Sequence, residues 1–535
     1  MSKIKKLFTR RKKVCKTNNT IPLNDNMKDA YAQDEFGYNT SLAQNCFSIQ
    51  EEQPPRCKEE LTLQQLIELL EVQPDAVSSN SGQNNKHLIQ RSVCQHFPEP
   101  PADLDQSLPQ HLSNVQNAVL GELTRLGPGL EPMDLMGYVI ECYHRQTCEH
   151  LHILLQNVSS SRSYFTLLDW GLKTYLSRDM LGNSAIQKPD PVKIIDLLLL
   201  TEWKTKAKEK LLKKVQEDVR EYLEKILQME TEEEDGDSGD KYVRLYVDTI
   251  SCLNSMCCRA QQISRKLADR VQEVCFQELL PFVKRYTNEK EVLLGKIAKL
   301  DEPETIHFSK ALKMCKELKK YVQDSNSGNS LCGEIGNMLQ NTEAFTLKFL
   351  RDNVANMAKR QLKGYFTTEI KLLPLLDAVN KYFPNQPDCQ DVQETVMDEA
   401  YKVIVGVYVD HLINTNHSKL KKCWGGDEVG KIVTRDAKEL HNTISGLAPG
   451  VQPWNLVLLR ITEVLECNSN DGLKITVAAI QTENLLKSEN PEFLYQLLQW
   501  KGLSKWEVKE VLDALPPDYQ PKAPSGSWSS CVACV

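Results

Sequence analysis

KAKEKLLKKVQEDVREYLEKILQM, residues 206–229, decides the fold class. Leu212, Val215, Val219, Tyr222 and Ile226 fall at i, i+3, i+7, i+10 and i+14, a spacing that lines one face of a 3.6-residue helix. Lys213–Glu217 and Glu221–Lys225 stand four residues apart and add ion pairs on the wet faces. The same periodicity continues from about residue 112 onward, over 241–287, 291–323, 331–382, 391–416, 429–446 and 454–467, then in shorter runs at 473–485, 491–501 and 504–514. Strand-like alternation is scarce.

Turn-forming clusters fall between these runs: TEEEDGDSGD (231–240), QDSNSGNS (323–330), FPNQPD (383–388), WGGD (424–427), APGVQP (448–453) and NSNDG (468–472). Helices of thirty or more residues joined by short loops predict an all-α protein, an elongated rod of consecutive helical bundles. No fixed-period repeat is present, so a consensus solenoid is not expected. The expected division is bundles over 112–323 and over 331–515, with a flexible tail at 516–535. Residues 17–111 read as mostly disordered linker with one short amphipathic helix at 61–72, LTLQQLIELLEV. HFPEPPADLDQSLPQ (96–110), with four prolines, is expected not to be helical.

The 535 residues suffice for three or four domain-sized units. The chain opens MSKIKKLFTRRKKVCK, in which eight residues are Lys or Arg and none is acidic. The formal net charge is −7, so with +8 in the first sixteen residues the remainder carries −15. Ile4, Leu7, Phe8, Val14 and Cys15 share one helical face and basic residues fill most of the rest, the layout of a short interfacial helix for an anionic membrane. Lys3, Lys5, Lys6, Phe8, Arg10, Arg11, Lys12 and Lys13 are the candidate lipid-binding residues; each cation near such a surface is worth about 1 kcal/mol. RRKK (10–13) also fits a nuclear-import signal, which makes a nuclear adaptor the alternative. The acidic body argues against nucleic acid as a partner.

Seventeen cysteines without a regular framework, and no signal peptide, lead to the expectation of a cytosolic protein with reduced thiols. No apolar run reaches membrane-spanning length; IIDLLLL (194–200) and VIVGVYV (403–409) are core-sized. Cys15, beside the basic cluster, and Cys531 and Cys534 in the terminal SWSSCVACV are candidate acylation positions; prenylation would need Cys at 532, which is Val. His144, Cys148 and His152 stand at i, i+4 and i+8, but a straight helix spreads three such residues over about 12 Å, so a helix face is expected rather than a zinc site. Cys252, Cys257 and Cys258 are expected as core thiols. The acidic loop 231–240 fails as a calcium loop: counted from Asp235, position six is Asp240 and position twelve Tyr246. Phosphate-loop, dinucleotide, zincin and nucleophile-elbow motifs are absent, and no enzyme activity, metal or cofactor is expected.

PMDLMGYVIECYHRQTCEHLHILL (132–155), followed by SYFTLLDWGLKTYLSRDML (163–181), resembles the exocyst-component-3-like family. Leu167, Leu168, Trp170 and Tyr175 stand where that family has a Leu-Leu-x-Trp segment followed by Tyr; EAYKVIVGVYVDHLINT (399–415) and NPEFLYQLLQWKGLSKWEVKEVLDAL (490–515) are similar to its later helices. The resemblance covers residues 112–515. It implies a tethering-complex type of subunit: a non-enzymatic tether or scaffold in vesicle exocytosis or plasma-membrane remodelling, cytoplasmic and peripheral at the inner face of the plasma membrane. The partners it implies are phosphoinositides, exocyst subunits, SNARE proteins and a Ral-type small GTPase. The exocyst subunit itself has a longer N-terminal coiled region where residues 17–110 here are mostly loop with one short helix, and the Arg-Gly-Asp-like turn expected in the C-terminal segment is here Lys501, Gly502 and Leu503.

Overall fold

The computed structural model describes residues 81–131, 134–183, 191–233, 245–300, 305–325, 330–367, 372–384, 389–424, 428–482 and 493–515, together with Gln65 and Glu68, which are helical. These belong to the second of two units, Leu61–Val535; the first is Met1–Glu60. Among the described residues every regular element is a helix. The all-α, consecutive-bundle class read from the periodicity is the class observed.

The first part of the unit comprises α1 (Ser81–His96), α2 (Leu104–Leu130), α3 (Met136–Asn157), α4 (Ser161–Asp169), a π-helical turn (Trp170–Thr174), α5 (Pro191–Ile194), α6 (Leu197–Glu233) and α7 (Leu245–Ile263). Three long helices follow: α8 (Arg265–Ile297), α9 (Ile306–Asp324) and α10 (Ser330–Leu362). The last part holds α11 (Leu373–Tyr382), α12 (Gln390–Ile413), α13 (His417–Cys423), α14 (Val429–Leu447), α15 (Leu456–Glu466), α16 (Asn470–Thr482), α17 (Phe493–Lys501) and α18 (Lys505–Asp513).

Helices α1 and α2 stand where the sequence reading expects linker. Three prolines end before Asp103, whose carboxylate caps α2 by accepting from Gln106 N at 3.4 Å. Pro109 lies inside the helix and removes one backbone bond, a cost of about 3 kcal/mol. The buried stripe Leu104, Leu108, Leu112, Val115, Val119 and Leu123 offsets it, at roughly 1.5–3 kcal/mol for each side chain. Ile89, Val93 and Phe97 extend the same core. Counting prolines missed this because the loss is local and the burial is not.

The helix containing 206–229 runs 37 residues, about 55 Å. Its buried face is Trp203, Ala207, Leu211, Val215, Val219, Leu223 and Ile226; Tyr222, which the sequence reading places inside, is 37 % exposed. Steps of four residues advance about 400°, so this ladder slants some 40° around the helix at each step. The slant explains why α6 packs on α3 and α4 and also on α7 and α8. The wet faces carry Lys206–Glu202 at 2.6 Å and Lys225–Glu221 at 2.5 Å, while Glu217 is met by Lys214 at 3.7 Å.

Two apolar cores follow one another. The first takes Leu267 to Tyr286 of α8, Met314 to Val322 of α9, and Ile335 and Leu339 of α10; the second takes Leu294 and Ile297, Phe308 to Leu312, and Leu350 to Leu362 of the same three helices. The cores therefore divide within α8, α9 and α10, not at the 323–330 loop. Between them lies a polar layer. Thr342 and Thr346 are fully buried and Lys290 nearly so. Thr287 and Thr342 hydroxyls meet at 3.1 Å, Thr342 Oγ1 donates to the Met338 carbonyl at 2.9 Å, and Thr346 Oγ1 to the Thr342 carbonyl at 2.7 Å.

The π-helical turn has a packing reason. Trp203 is fully buried and donates Nε1–H to the Leu151 carbonyl at 3.1 Å, joining α6 to α3. A Cβ on Gly171 would stand 2.5 Å from Trp203 Cζ3 and 2.6 Å from Cη2. Gly171→Ala is thus expected to destabilise the protein by about 1–3 kcal/mol through overpacking. Urea denaturation checks this, and Gly171→Ala combined with Trp203→Leu should recover part of the clash cost.

Candidate functional site

The candidate lipid-binding residues Lys3, Lys5, Lys6, Phe8, Arg10, Arg11, Lys12 and Lys13, and the candidate acylation positions Cys15, Cys531 and Cys534, lie outside the described residues. So do residues 234–240 of the acidic loop and Gly425–Gly426. What the structure resolves is the helical body, its buried polar centres and its surfaces.

The His144–Cys148–His152 face is a packing face. His144 Nδ1 accepts from the Tyr175 hydroxyl at 2.8 Å and Nε2–H donates to the Asp196 carbonyl at 2.8 Å, which fixes the neutral tautomer. His152 Nδ1 donates to the Cys148 carbonyl at 2.9 Å. Burial pushes the Cys148 thiol up to about 12, away from the thiolate a metal needs. Among the described residues no group of three or more His, Cys, Asp or Glu is arranged to hold a metal ion. Cys252 and Cys257 are half-buried, as core-facing thiols are, whereas Cys258 is exposed, against expectation. Burial raises Cys252 to about 12.

Two residues on from Cys148, His150 Nε2 meets His111 Nε2 of α2 at 2.7 Å, with Phe97 edge-on to His150. One ring must donate and the other accept, so the contact tolerates at most one imidazolium. Burial lowers both, and the neighbouring His111 helps bring His150 to about 4. The sequence carried no signal for this pair, since 39 residues separate its members.

In the second core, Asp436 of α14 is fully buried and accepts from the Tyr408 hydroxyl at 2.7 Å and from the Tyr365 hydroxyl. Burial raises its carboxyl, opposed by the two phenols and Arg435. Tyr365 also receives the Trp424 Nε1–H on its carbonyl at 3.2 Å, and Cys423 Sγ–H points to the Thr367 carbonyl at 3.4 Å. These bonds dock α13 on the chain that leaves α10. On its other side, Trp500 Nε1 donates to the Thr415 carbonyl at 2.6 Å and His417 lies edge-on to Trp500, docking α13 on the end of α17.

Three chain segments thereby converge: 353–367, 414–424 and 494–506. Together they carry Lys359, Arg360, Lys363, Lys419, Lys421, Lys422, Lys501 and Lys505, and no carboxylate. Lys359, Lys363, Lys419, Lys421, Lys422 and Lys505 are exposed. His417 is held below its usual value by burial and then by Lys421 and Lys501. Sequence reading passed over this corner because each segment is short; charge counted by segment rather than by chain would have found it.

The fold and these surfaces define a class: an all-helical protein built of consecutive bundles over two cores, with buried polar groups that tie helices together. No family model matches the chain. Among solved structures, the crystal structure of M-Sec is similar, with a TM-score of 0.60 at 14 % sequence identity over 84 % of this chain and 82 % of that one. That likeness shows a shared fold. A circular tandem repeat protein with novel repeat topology covers 84 % of this chain and 96 % of its own, but its TM-score of 0.17 carries no argument.

The His111–His150 contact generates a pH prediction. The unfolded chain takes up protons near pH 6.5 and the folded chain nearer 4, so the unfolded state binds more protons between those values and stability falls as pH drops through that window. The melting temperature is expected to fall by about 2 °C from pH 7 to 5. The double variant His111→Leu, His150→Leu should show a shallower fall by calorimetry; an equal slope would remove this pair as the cause.

Proposed function

We propose that the protein is a non-enzymatic peripheral membrane tether or scaffold, whose basic opening segment binds anionic lipid and whose helical bundles bind proteins. The observation that carries the reading is the charge asymmetry, +8 in residues 1–16 against −15 in the rest, on a chain whose body shares the M-Sec fold. Among the described residues no helix is long and apolar enough to cross a membrane, which is compatible with peripheral attachment. The resemblance of 132–181, 399–415 and 490–515 to the exocyst-component-3-like family supports phosphoinositides as the lipid. It supports exocyst subunits, SNARE proteins and a Ral-type small GTPase as protein partners, and the inner face of the plasma membrane as the location. Cys15, Cys531 and Cys534 are proposed as acylation positions that would strengthen a reversible electrostatic contact.

Co-sedimentation with vesicles containing a few mole per cent phosphatidylinositol 4,5-bisphosphate tests this. The intact chain is expected to pellet and to lose binding in high salt. Lys3, Lys5, Lys6, Arg10, Arg11, Lys12 and Lys13 changed together to Gln should reduce binding at least tenfold. If intact and changed chains remain equally soluble, the opening segment is not a membrane anchor, and nuclear import becomes the reading to test.

A further inference from the structure

We infer that the corner formed around α13, with Trp506 beside it, is a second contact for an anionic membrane surface, borne by the folded body and separate from the opening segment. The inference goes beyond the head-borne attachment proposed above and does not require it.

Three observations meet here. The first is charge. Segments 353–367, 414–424 and 494–506 hold eight cations without one carboxylate, in a body that is otherwise strongly acidic. Two of the carboxylates that border them are engaged, while Asp352, just before the first segment, is exposed. Glu507 accepts from Ser504 N at 2.7 Å in a capping box, and Glu428 pairs with Lys431 at 3.3 Å. The second is convergence. Trp424 to the Tyr365 carbonyl and Trp500 to the Thr415 carbonyl fix the segments to one another, so the lysines are displayed by a built surface rather than by a loose tail.

The third is Trp506. It opens α18, directly after Lys505, and is 74 % exposed, while Val508, Val511 and Leu512 of the same helix are buried. A bare indole next to lysines suits the headgroup region, where an amphipathic ring and cations are both accommodated.

The choice of cation argues for lipid over protein. Six of the seven exposed cations in these segments are lysines; the seventh, Arg360, donates to the Tyr382 hydroxyl at 3.1 Å. Protein interfaces favour Arg, whose planar fork pairs with carboxylates, and are depleted in Lys. Mobile ammonium groups suit a surface of fluid phosphates, where no fixed geometry is on offer.

The test uses the full chain with the opening segment neutralised by the seven Gln changes. In that background, Lys363→Gln, Lys419→Gln, Lys421→Gln and Lys422→Gln are added together, and Trp506→Ala separately. Each is sedimented at low salt with vesicles of phosphatidylcholine containing 30 mole per cent phosphatidylserine, chosen as about the composition of an anionic leaflet. The parent is expected to retain weak, salt-sensitive binding; the four-lysine variant should lose it by about tenfold or more, and Trp506→Ala should lower it severalfold. Unchanged circular dichroism and melting would confirm that these exposed positions leave the fold intact. The same four changes in the native-head chain should weaken binding without abolishing it, so failure of the head and failure of the corner read out separately. Equal sedimentation of parent and four-lysine variant would overturn the inference. So would a corner that binds polyglutamate but not vesicles, which would make it a docking surface for an acidic protein.

Discussion

Three helices carry both cores. α8 passes from the first core to the second, α9 returns, and α10 passes across again, each giving apolar side chains to both. To bend the body between its cores would break hydrogen bonds in the middle of all three helices at once. A loop between two separate bundles would resist bending far less. The Thr287, Thr342, Thr346 and Lys290 layer keeps the cores distinct while the backbone keeps them joined. Buried threonine hydroxyls return to helix carbonyls, so this layer is satisfied without a partner chain. Whatever surfaces the two halves present, the seam holds them in a fixed relation.

Other long-range bonds do for single elements what the seam does for the halves. Trp203 reaches Leu151, Asp436 gathers Tyr365 and Tyr408, and Asp398 accepts from Gln452 N at 2.8 Å and Trp454 Nε1 at 3.0 Å. Asp105 accepts from the backbone and hydroxyls of Ser159 and Ser160, and those bonds hold its carboxyl at about 2 against the opposing effect of burial. In each case a polar group on one helix fixes the entry or exit of another. Leucine stripes alone permit sliding along a neighbour; a directional bond sets the register.

The helices were legible because burial on one face of a helix leaves a 3.6-residue pattern in the sequence. That α14 would occupy 429–447 needed only local spacing, whereas the runs 241–287 and 291–323 part at 288–290, inside α8, and miss the breaks at Ser264 and 298–305. The face itself was less legible. Tyr222 and Leu223 are adjacent, and which one turns inward depends on the slant of a ladder set by α7 and α8. Proline counting failed at α2 because the stripe beyond Pro109 outweighs one lost bond. The division between cores was illegible for a different reason: it occurs inside helices, where no loop residue marks it. The His111–His150 pair, the Asp436 centre and the α13 corner are assembled from segments 28 to 85 residues apart, a scale that no short-window pattern reaches.

Charge placement is where sequence and structure join in function. A body carrying −15 is repelled as a whole by an anionic leaflet. Electrostatic reach at physiological salt is only about 8 Å, so what matters is the charge within that depth of the surface, not the total. A protein can therefore be acidic overall and still adhere, provided its cations are concentrated and its carboxylates are placed elsewhere or paired. The opening sixteen residues meet that condition by composition. The α13 corner meets it by folding: three segments, each with two or three cations and no acid, are brought together by indole–carbonyl bonds. Salt-sensitive attachment by either one would be individually weak. Two such contacts on one chain act as a linked pair, in which the first raises the effective concentration of the second. On the proposed reading, this is how a chain with no membrane-spanning helix among its described residues would hold a surface reversibly.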